Sequence, residues 1–308
     1  MNILVILASF NGVRYIEEQI NSILNQEDVD VSLFVFDDGS SDGTIELLFS
    51  KFSTGASNVK IIQNLIPTGS AANNFFGALK SLEENVINDY DFVAFSDQDD
   101  IWFPNKMKAA MEMLQMEKGD LYMSNLILWE ENNNKKSLIR KSHPQKKYDY
   151  LFEGGSAGCT YVFNSAFANH LKMTLLITSY INWEFFSHDW FVYFFARREN
   201  CRVVMDENAY IFYRVHDSNV HGQLNTFSTY AIIERLKLIK KGWYLKQVEG
   251  FKSLLNSNSD EYKIYEMYLY NYFTRIYVVF RYNFSLVRSP KKAVQFFIIS
   301  LIPFRIEK

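Results

Sequence analysis

Short apolar runs alternate with stretches of helical periodicity through the first half of the chain. Residues 2–8, 31–37, 59–63, 91–96 and 121–128 predict strands, and residues 13–25, 42–52, 70–85 and 104–117 predict helices between them. Such alternation argues for βαβ units and a mostly parallel α/β sheet with helices on both faces. Residues 130–147 are polar and rich in Asn and Lys, which predicts a flexible surface loop. Beyond it, the small residues Gly154-Gly155-Ser156-Ala157-Gly158-Cys159-Thr160 lead into a β-like Tyr161-Val162-Phe163 and a helix over 165–176. From about residue 224 the pattern is helical to the end, with repeated aromatics, so the expected division is 1–223 and 224–308.

Ligands of open α/β sheets bind at the carboxyl ends of the strands, and there this chain concentrates its chemistry. Ser9-Phe10-Asn11-Gly12 follows the first strand, Asp37-Asp38-Gly39-Ser40-Ser41-Asp42-Gly43-Thr44 the second, and Asp97-Gln98-Asp99-Asp100 the fourth. Three carboxylates in four residues repel one another unless a cation sits among them, and oxygen ligands suit Mg²⁺ or Mn²⁺. An acidic solvated loop or a helix cap is the plainer reading of the same run. In the second motif Ser41 or Asp42 can cap the next helix, while one of the adjacent pair Asp37 and Asp38 is expected in the cleft, able to accept from a pyrimidine N–H or a ribose hydroxyl.

Composition narrows the class. The 308 residues are 48% hydrophobic and 22% charged, as in a globular protein, and 17% aromatic, with 27 Phe and 19 Tyr, which points to a sugar-binding or membrane-facing surface. Net charge is −3, unevenly spread: 18 Lys and Arg against 29 Asp and Glu in residues 1–223, and 14 against 6 in residues 224–308. Cys159 and Cys201 have no paired spacing, so neither a zinc site nor a disulfide framework is signalled and a reduced cytoplasmic setting is expected. Met1-Asn2-Ile3-Leu4-Val5-Ile6-Leu7 lacks a basic leader and reads as a buried strand rather than a signal peptide.

Two further clusters carry potential chemistry. His188-Asp189-Trp190 sets a carboxylate among large apolar neighbours, where desolvation favours general-base work, although such an Asp is commonly a helix cap. Tyr213-Arg214-Val215-His216 offers a cation and an imidazole on one face of an extended segment, Arg214 suited to a diphosphate and a neutral His216 to a divalent metal.

Taken in order, these motifs resemble family 2 glycosyltransferases, the inverting, nucleotide-sugar-dependent enzymes of the GT-A fold with a Rossmann-like sheet. The resemblance covers roughly residues 1–222 and includes Ser96-Asp97-Gln98-Asp99-Asp100-Ile101-Trp102, Gly158-Cys159-Thr160, His188-Asp189-Trp190 and Tyr213-Arg214-Val215-His216. The Asp-Gln-Asp-Asp-x-Trp, Gly-Cys-Thr and His-Asp-Trp forms are similar to those of bacterial polysaccharide rhamnosyltransferases. The resemblance implies that Ser9, Asn11 and Asp38 hold the nucleoside, that Asp97 and Asp99 form a DxD motif with Asp99 on Mn²⁺ or Mg²⁺, that His216 completes the metal site, and that Asp189 is the catalytic base. Glu153-Gly154-Gly155 departs from the bulkier residues expected there. The implied donor is a nucleotide diphosphate sugar such as dTDP-rhamnose, and the implied acceptor a glycan or polyprenyl-diphosphate-linked sugar in O-antigen or capsule synthesis.

Rival readings are a galactosyl-, glucosyl- or N-acetylhexosaminyl-transferase using a UDP-sugar, a nucleotidyltransferase, and a non-catalytic sugar-binding protein. Residues 9–14 offer only Arg14 where a nucleotidyltransferase needs a basic phosphate loop. The basic C-terminus, with Phe296–Phe304 as its apolar core, is expected to contact a membrane peripherally, since that run is too short to span; a helical cap or a homodimer contact that buries the same aromatics within protein is the alternative. Nothing in the pattern suggests nucleic acid.

Overall fold

The computed structural model describes residues 1–53, 58–178, 183, 186–216 and 243–301. It divides into two compact units, Met1–Ser142 with Ser156–Glu184 and Phe195–His216, and His143–Gly155 with Phe185–Phe194 and Asp217–Lys308.

The first unit is built on a nine-stranded sheet. In chain order its elements are β1 (Asn2–Ser9), α1 (Ile16–Leu24), β2 (Asp30–Asp37), α2 (Thr44–Phe52), β3 (Val59–Gln63), α3 (Ala71–Ser81), α4 (Glu84–Asn88), β4 (Phe92–Ser96), β5 (Ile101–Trp102), α5 (Lys106–Glu117), β6 (Leu121–Glu130), β7 (Lys135–Ile139), β8 (Val162–Asn164), α6 (Ser165–Ile177), α7 (His188–Arg198, shared with the second unit) and β9 (Val203–Val215). The strand order is β3-β2-β1-β4-β8-β6-β9-β5, with β7 paired to β6. Strands β3, β2, β1 and β4 are parallel. Beyond β4 the sheet is mixed, with β8 antiparallel to both β4 and β6, and β9 parallel to β6.

Local sequence accounts for most of this. Ile3 to Leu7 are wholly buried, as expected of a central parallel strand covered on both faces. Ile16, Ile20 and Ile23 recur at helical spacing and turn one face of α1 into the core, each burial being worth about 1.5–3 kcal/mol. Ser70 caps α3 by accepting from the Asn73 amide at 3.2 Å.

The sequence pattern and the structure differ at two elements. The predicted helix over 70–85 breaks at Leu82, which is extended (ψ 137°) and buried, and α4 starts afresh at Glu84. The predicted flexible loop over 130–147 contains a hairpin: Asn134 takes the left-handed conformation (φ 51°), its Oδ1 accepts from Trp129 Nε1 at 3.2 Å, and β7 pairs antiparallel with β6. As an edge strand exposed on both faces, β7 shows no apolar alternation.

The second unit contains α8 (Trp243–Lys252), α9 (Asp260–Tyr270), α10 (Tyr272–Leu286) and α11 (Pro290–Ser300), so the C-terminal region is helical, as its pattern predicts. Residues 143–155 and 185–194 join them. Phe152 packs against Tyr244, Tyr265, Tyr268 and Phe296. Arg288, 4% exposed, donates to Glu153 Oε1 at 3.1 Å and to the Gly154 and Gly155 carbonyls at 2.6 Å each. Gly154 is needed for close approach: a Cβ there would lie 3.2 Å from Trp190 Cα. This explains the small residues where the family resemblance leads one to expect bulk.

Candidate active site

Strands β2, β1 and β4 lie side by side, and the loops leaving their carboxyl ends are tied together. The Asp38 amide donates to Ser9 O at 2.8 Å. The Gln98 amide brackets Phe10, accepting from its N–H and donating to its carbonyl, both at 2.9 Å. Asn11, in the left-handed conformation (φ 50°), accepts from the Ser41 amide at 2.9 Å, and Ser40 Oγ accepts from the Asn11 amide at 2.8 Å. A Cβ at Gly12 would collide with the Gln98 amide and force it off Phe10. Asp42 accepts from the Thr44 and Val13 amides at 3.1 Å each, so it stabilises the first turn of α2 while holding the first loop.

Both carboxylates at the end of β2 are saturated by protein donors. Asp37, wholly buried, accepts from the Gly39 amide (3.1 Å), the Ser40 amide (2.9 Å), Ser9 Oγ (2.9 Å) and Ser40 Oγ (2.5 Å). Asp38, 4% exposed, accepts from Asn64 Nδ2 (2.9 Å), the Thr68 amide (2.7 Å), Thr68 Oγ1 (3.0 Å) and the Gly69 amide (3.0 Å). Four donors match the roughly four lone-pair positions of a carboxylate. Neither side chain therefore points unpaired into a cleft, contrary to the sequence expectation. Ser9 is corrected too: it is 1% exposed, and its Oγ is engaged by Asp37 rather than available to a nucleoside.

The cluster after β4 is different. Ligand atoms of Asp97, Asp100 and Cys159 lie within 4.8 Å of one another. Asp100 is 1% exposed and its Oδ2 is buried without a hydrogen bond. Burial, then the charges of Asp99 and Asp97, push the Asp100 carboxyl well up. Asp99 Oδ2 stands 2.8 Å from His216 Nε2, and the His216 ring packs on Tyr15 with centroids 4.7 Å apart. Behind the cluster Lys106 is fully buried, its Nζ 3.6 Å from the Trp102 ring centroid and without a hydrogen bond. Its burial outweighs the pull of Cys159 and Asp100 and lowers the amine to about 7.

These residues suit a divalent cation. Asp97 and Asp100 converge, with one Asp100 oxygen lacking a hydrogen bond, while Asp99 and His216 pair with each other outside that group; carboxylates and an imidazole are donors of the kind that take Mn²⁺ or Mg²⁺. The thiol does not change that preference, because burial and then the Asp100 and Asp97 charges push Cys159 well up, so it stays protonated.

Arg214 is not a diphosphate ligand in this structure. Its side chain is 1% exposed, its terminal nitrogens are ion-paired to Glu18 and Glu131, and its guanidinium lies between the Tyr15 and Trp129 rings at 4.7 and 4.6 Å. Its Nε donates to the Asp99 carbonyl at 3.0 Å and its amide to Asp100 Oδ1 at 3.3 Å. A cation read as ligand-facing is thus the clamp that fastens β9 to the acidic loop.

Asp189 belongs to the second unit. It stands in the first turn of α7, half-buried, and its Oδ1 accepts from Ser187 Oγ and from the Trp190 amide at 2.7 Å. Glu18, Glu131, Tyr15, Cys159 and Lys106 were missed as site residues in the sequence. Cys159 carried a signal, since it sits in Gly158-Cys159-Thr160, whereas nothing in the local pattern links Glu18 or Glu131 to residue 214.

A strand-end acidic cluster, with a histidine just beyond the last strand paired to Asp99, agrees with the glycosyltransferase resemblance of the sequence. The chain belongs to glycosyl transferase family 2, whose model matches residues 4–171. It is 34% identical over 253 residues, 82% of this chain and 86% of the relative, to the dTDP-rhamnosyl transferase RfbG of Shigella flexneri. Among solved structures it is similar in fold to S. aureus TarS 1-349 in complex with UDP-GlcNAc (TM-score 0.56, 17% identity, 98% of this chain and 89% of that one). It is also similar in fold to the mannosyltransferase PcManGT of Pyrobaculum calidifontis in complex with GDP-Man and Mn²⁺ (TM-score 0.57, 13% identity, 95% and 73%).

Proposed function

We propose that this glycosyltransferase uses a deoxythymidine-diphosphate sugar, dTDP-rhamnose first among them, and transfers the sugar with inversion to a glycan or lipid-linked acceptor in bacterial surface-polysaccharide synthesis. The observations that support the metal-dependent reading are the convergence of Asp97 and Asp100 beside Cys159 and, next in the same loop, Asp99 paired with His216. The likeness to a dTDP-rhamnosyl transferase supports the choice of donor.

In this reading Asp99 and His216, with Asp97, hold Mn²⁺ or Mg²⁺, which when bound supplies charge neutralisation for the departing diphosphate. Asn11 and the loop after β2 shape the nucleoside end of the site. Asp38 reaches a nucleobase N–H by exchanging one of its bonds to residues 64–69, and Ser9 acts through Asp37 rather than by direct contact. Arg214 positions Asp99 and His216. Asp189 takes the proton from the acceptor hydroxyl as that oxygen attacks the anomeric carbon, its Oδ1 being held by Ser187 and the Trp190 amide.

A panel of dTDP-, UDP- and GDP-sugars assayed for nucleotide release with Mn²⁺ or Mg²⁺ tests this. Release of dTDP from dTDP-rhamnose that needs both metal and acceptor is the expected result. Release from UDP-sugars alone overturns the donor assignment, and no release from any donor overturns the enzymatic reading. In the same assay Asp189→Asn should lower kcat by about 10²–10⁴-fold with donor KM little changed.

A further inference from the structure

The helix α10 carries an apolar face that points away from its own core. Phe273, Tyr277, Phe280 and Phe284 follow one another at spacings of four, three and four residues, so they form a single stripe along about three turns. They are 80%, 55%, 65% and 86% exposed. Arg275, Val278, Val279 and Leu286, on the opposite side of the same helix, are 2% exposed or less. An aromatic stripe of this length on the outside is the reverse of ordinary helix amphipathicity.

The neighbouring helix α11 extends the stripe. Val294 and Ile298 are 60% and 57% exposed, one turn apart, with Lys291 a turn before them. The two helices form a rigid antiparallel hairpin, because Tyr272 Oη donates to the Leu301 carbonyl at 3.0 Å and the Phe280 and Phe297 rings pack edge to face at 4.9 Å. From Tyr272 to Leu301 the sequence has no Asp or Glu, while Arg281 and Lys291 are exposed and Lys292 is ion-paired to Glu153 at 3.6 Å.

We infer that this hairpin face docks the enzyme on an anionic lipid bilayer, the aromatic stripe lying at the level of the headgroups and Arg281 and Lys291 meeting their phosphates. Charge decides between occupants. A second copy of the chain laid face to face would oppose the same cations to one another, with no acidic partner on either hairpin, whereas an anionic leaflet complements them. No helix among the described residues is long and apolar enough to cross a membrane, so the contact is interfacial. The expected membrane segment moves accordingly. Phe296 packs inward on Phe152 and Tyr268, and residues 302–304 lie outside the described residues, so the exposed apolar surface is centred on α10. The inference deepens the lipid-linked-acceptor reading but does not rest on the donor.

Co-sedimentation of the full chain with phosphatidylglycerol vesicles and with phosphatidylcholine vesicles at low salt tests it. The wild type should bind the first and not the second. Phe273→Ser, Phe280→Ser and Phe284→Ser together should weaken binding by at least about tenfold, and Arg281→Gln with Lys291→Gln should weaken it and flatten its salt dependence. All these positions are exposed, and nucleotide release with a soluble acceptor, unchanged in both variants, confirms that they fold and keeps this test separate from that of the donor. A wild type that stays in the supernatant with anionic vesicles overturns the inference. So does a wild type that sediments as a dimer which the Phe→Ser variant dissociates while vesicle binding persists.

Discussion

Two groups of carboxylates stand at the ends of adjacent regions of one sheet and are treated in opposite ways. Asp37 and Asp38, after β2, each accept four hydrogen bonds from protein donors. After β4, Asp97 and Asp100 stand close together with Cys159, Asp100 Oδ2 is buried without a hydrogen bond, and Asp99 faces His216. A satisfied carboxylate is a structural tie, because every lone pair it owns is committed to holding a loop. Carboxylates crowded at a strand end raise one another's proton affinity, and the strain is relieved either by a proton, as at Asp100, or by a cation. The first group ties the loops together, and the second is the candidate site for a cation.

The largest effect expected from this contrast is on turnover. Asp99→Asn removes a charge that faces His216 and should lower metal-dependent nucleotide release by at least about 10³-fold. A variant that keeps near wild-type activity in added Mn²⁺ would break the contrast at its functional end.

Stability should respond most at Asp37. An Asn there sets an NH₂ group against donors that now share one carboxylate, so Asp37→Asn should cost about 2–4 kcal/mol in denaturant unfolding, and turnover should fall with the loosened loops. Unaltered stability would show that the four bonds are not what holds the rim.

The smallest effect has the opposite sign. The Asp100 carboxyl is pushed up by burial first and then by Asp99 and Asp97, so it keeps its proton in the folded state at pH values where the unfolded chain has released it. Its contribution to stability is therefore present below about 3.8, the unfolded value, and is lost as pH rises through the folded value. In EDTA at neutral pH Asp100→Asn should be more stable than the wild type by about 1 kcal/mol, with the advantage shrinking as pH falls. Equal midpoints across that range would mean that Asp100 behaves like the saturated pair.

Much of the site could be read in the chain, because strand-end position and residue type are local properties. Asp97, Asp99, Asp100 and His216 stand where alternating strands and helices put them, and the structure brings Asp99 and His216 to 2.8 Å. Arg214 was legible as a cation next to His216 but not as a buried one. Its partners Glu18 and Glu131 lie on α1 and just beyond β6, and only the folded sheet sets them around β9. Ser9 and Asp38 show the same limit, since a side chain's donors and acceptors can be counted in the sequence while the atoms that satisfy them cannot.

The sequence by itself determined the parallel half of the sheet, the helical C-terminus, the family and the acidic strand end, since hydrophobic period and short motifs act through neighbours in the chain. The tertiary structure alone decided which carboxylates are saturated, that residues 135–139 pair as an edge strand, that Gly154 admits the Trp190 backbone, and that the aromatics of α10 face outward. Each of these depends on contacts between residues far apart in sequence, where packing and the pairing of buried polar groups override local preference.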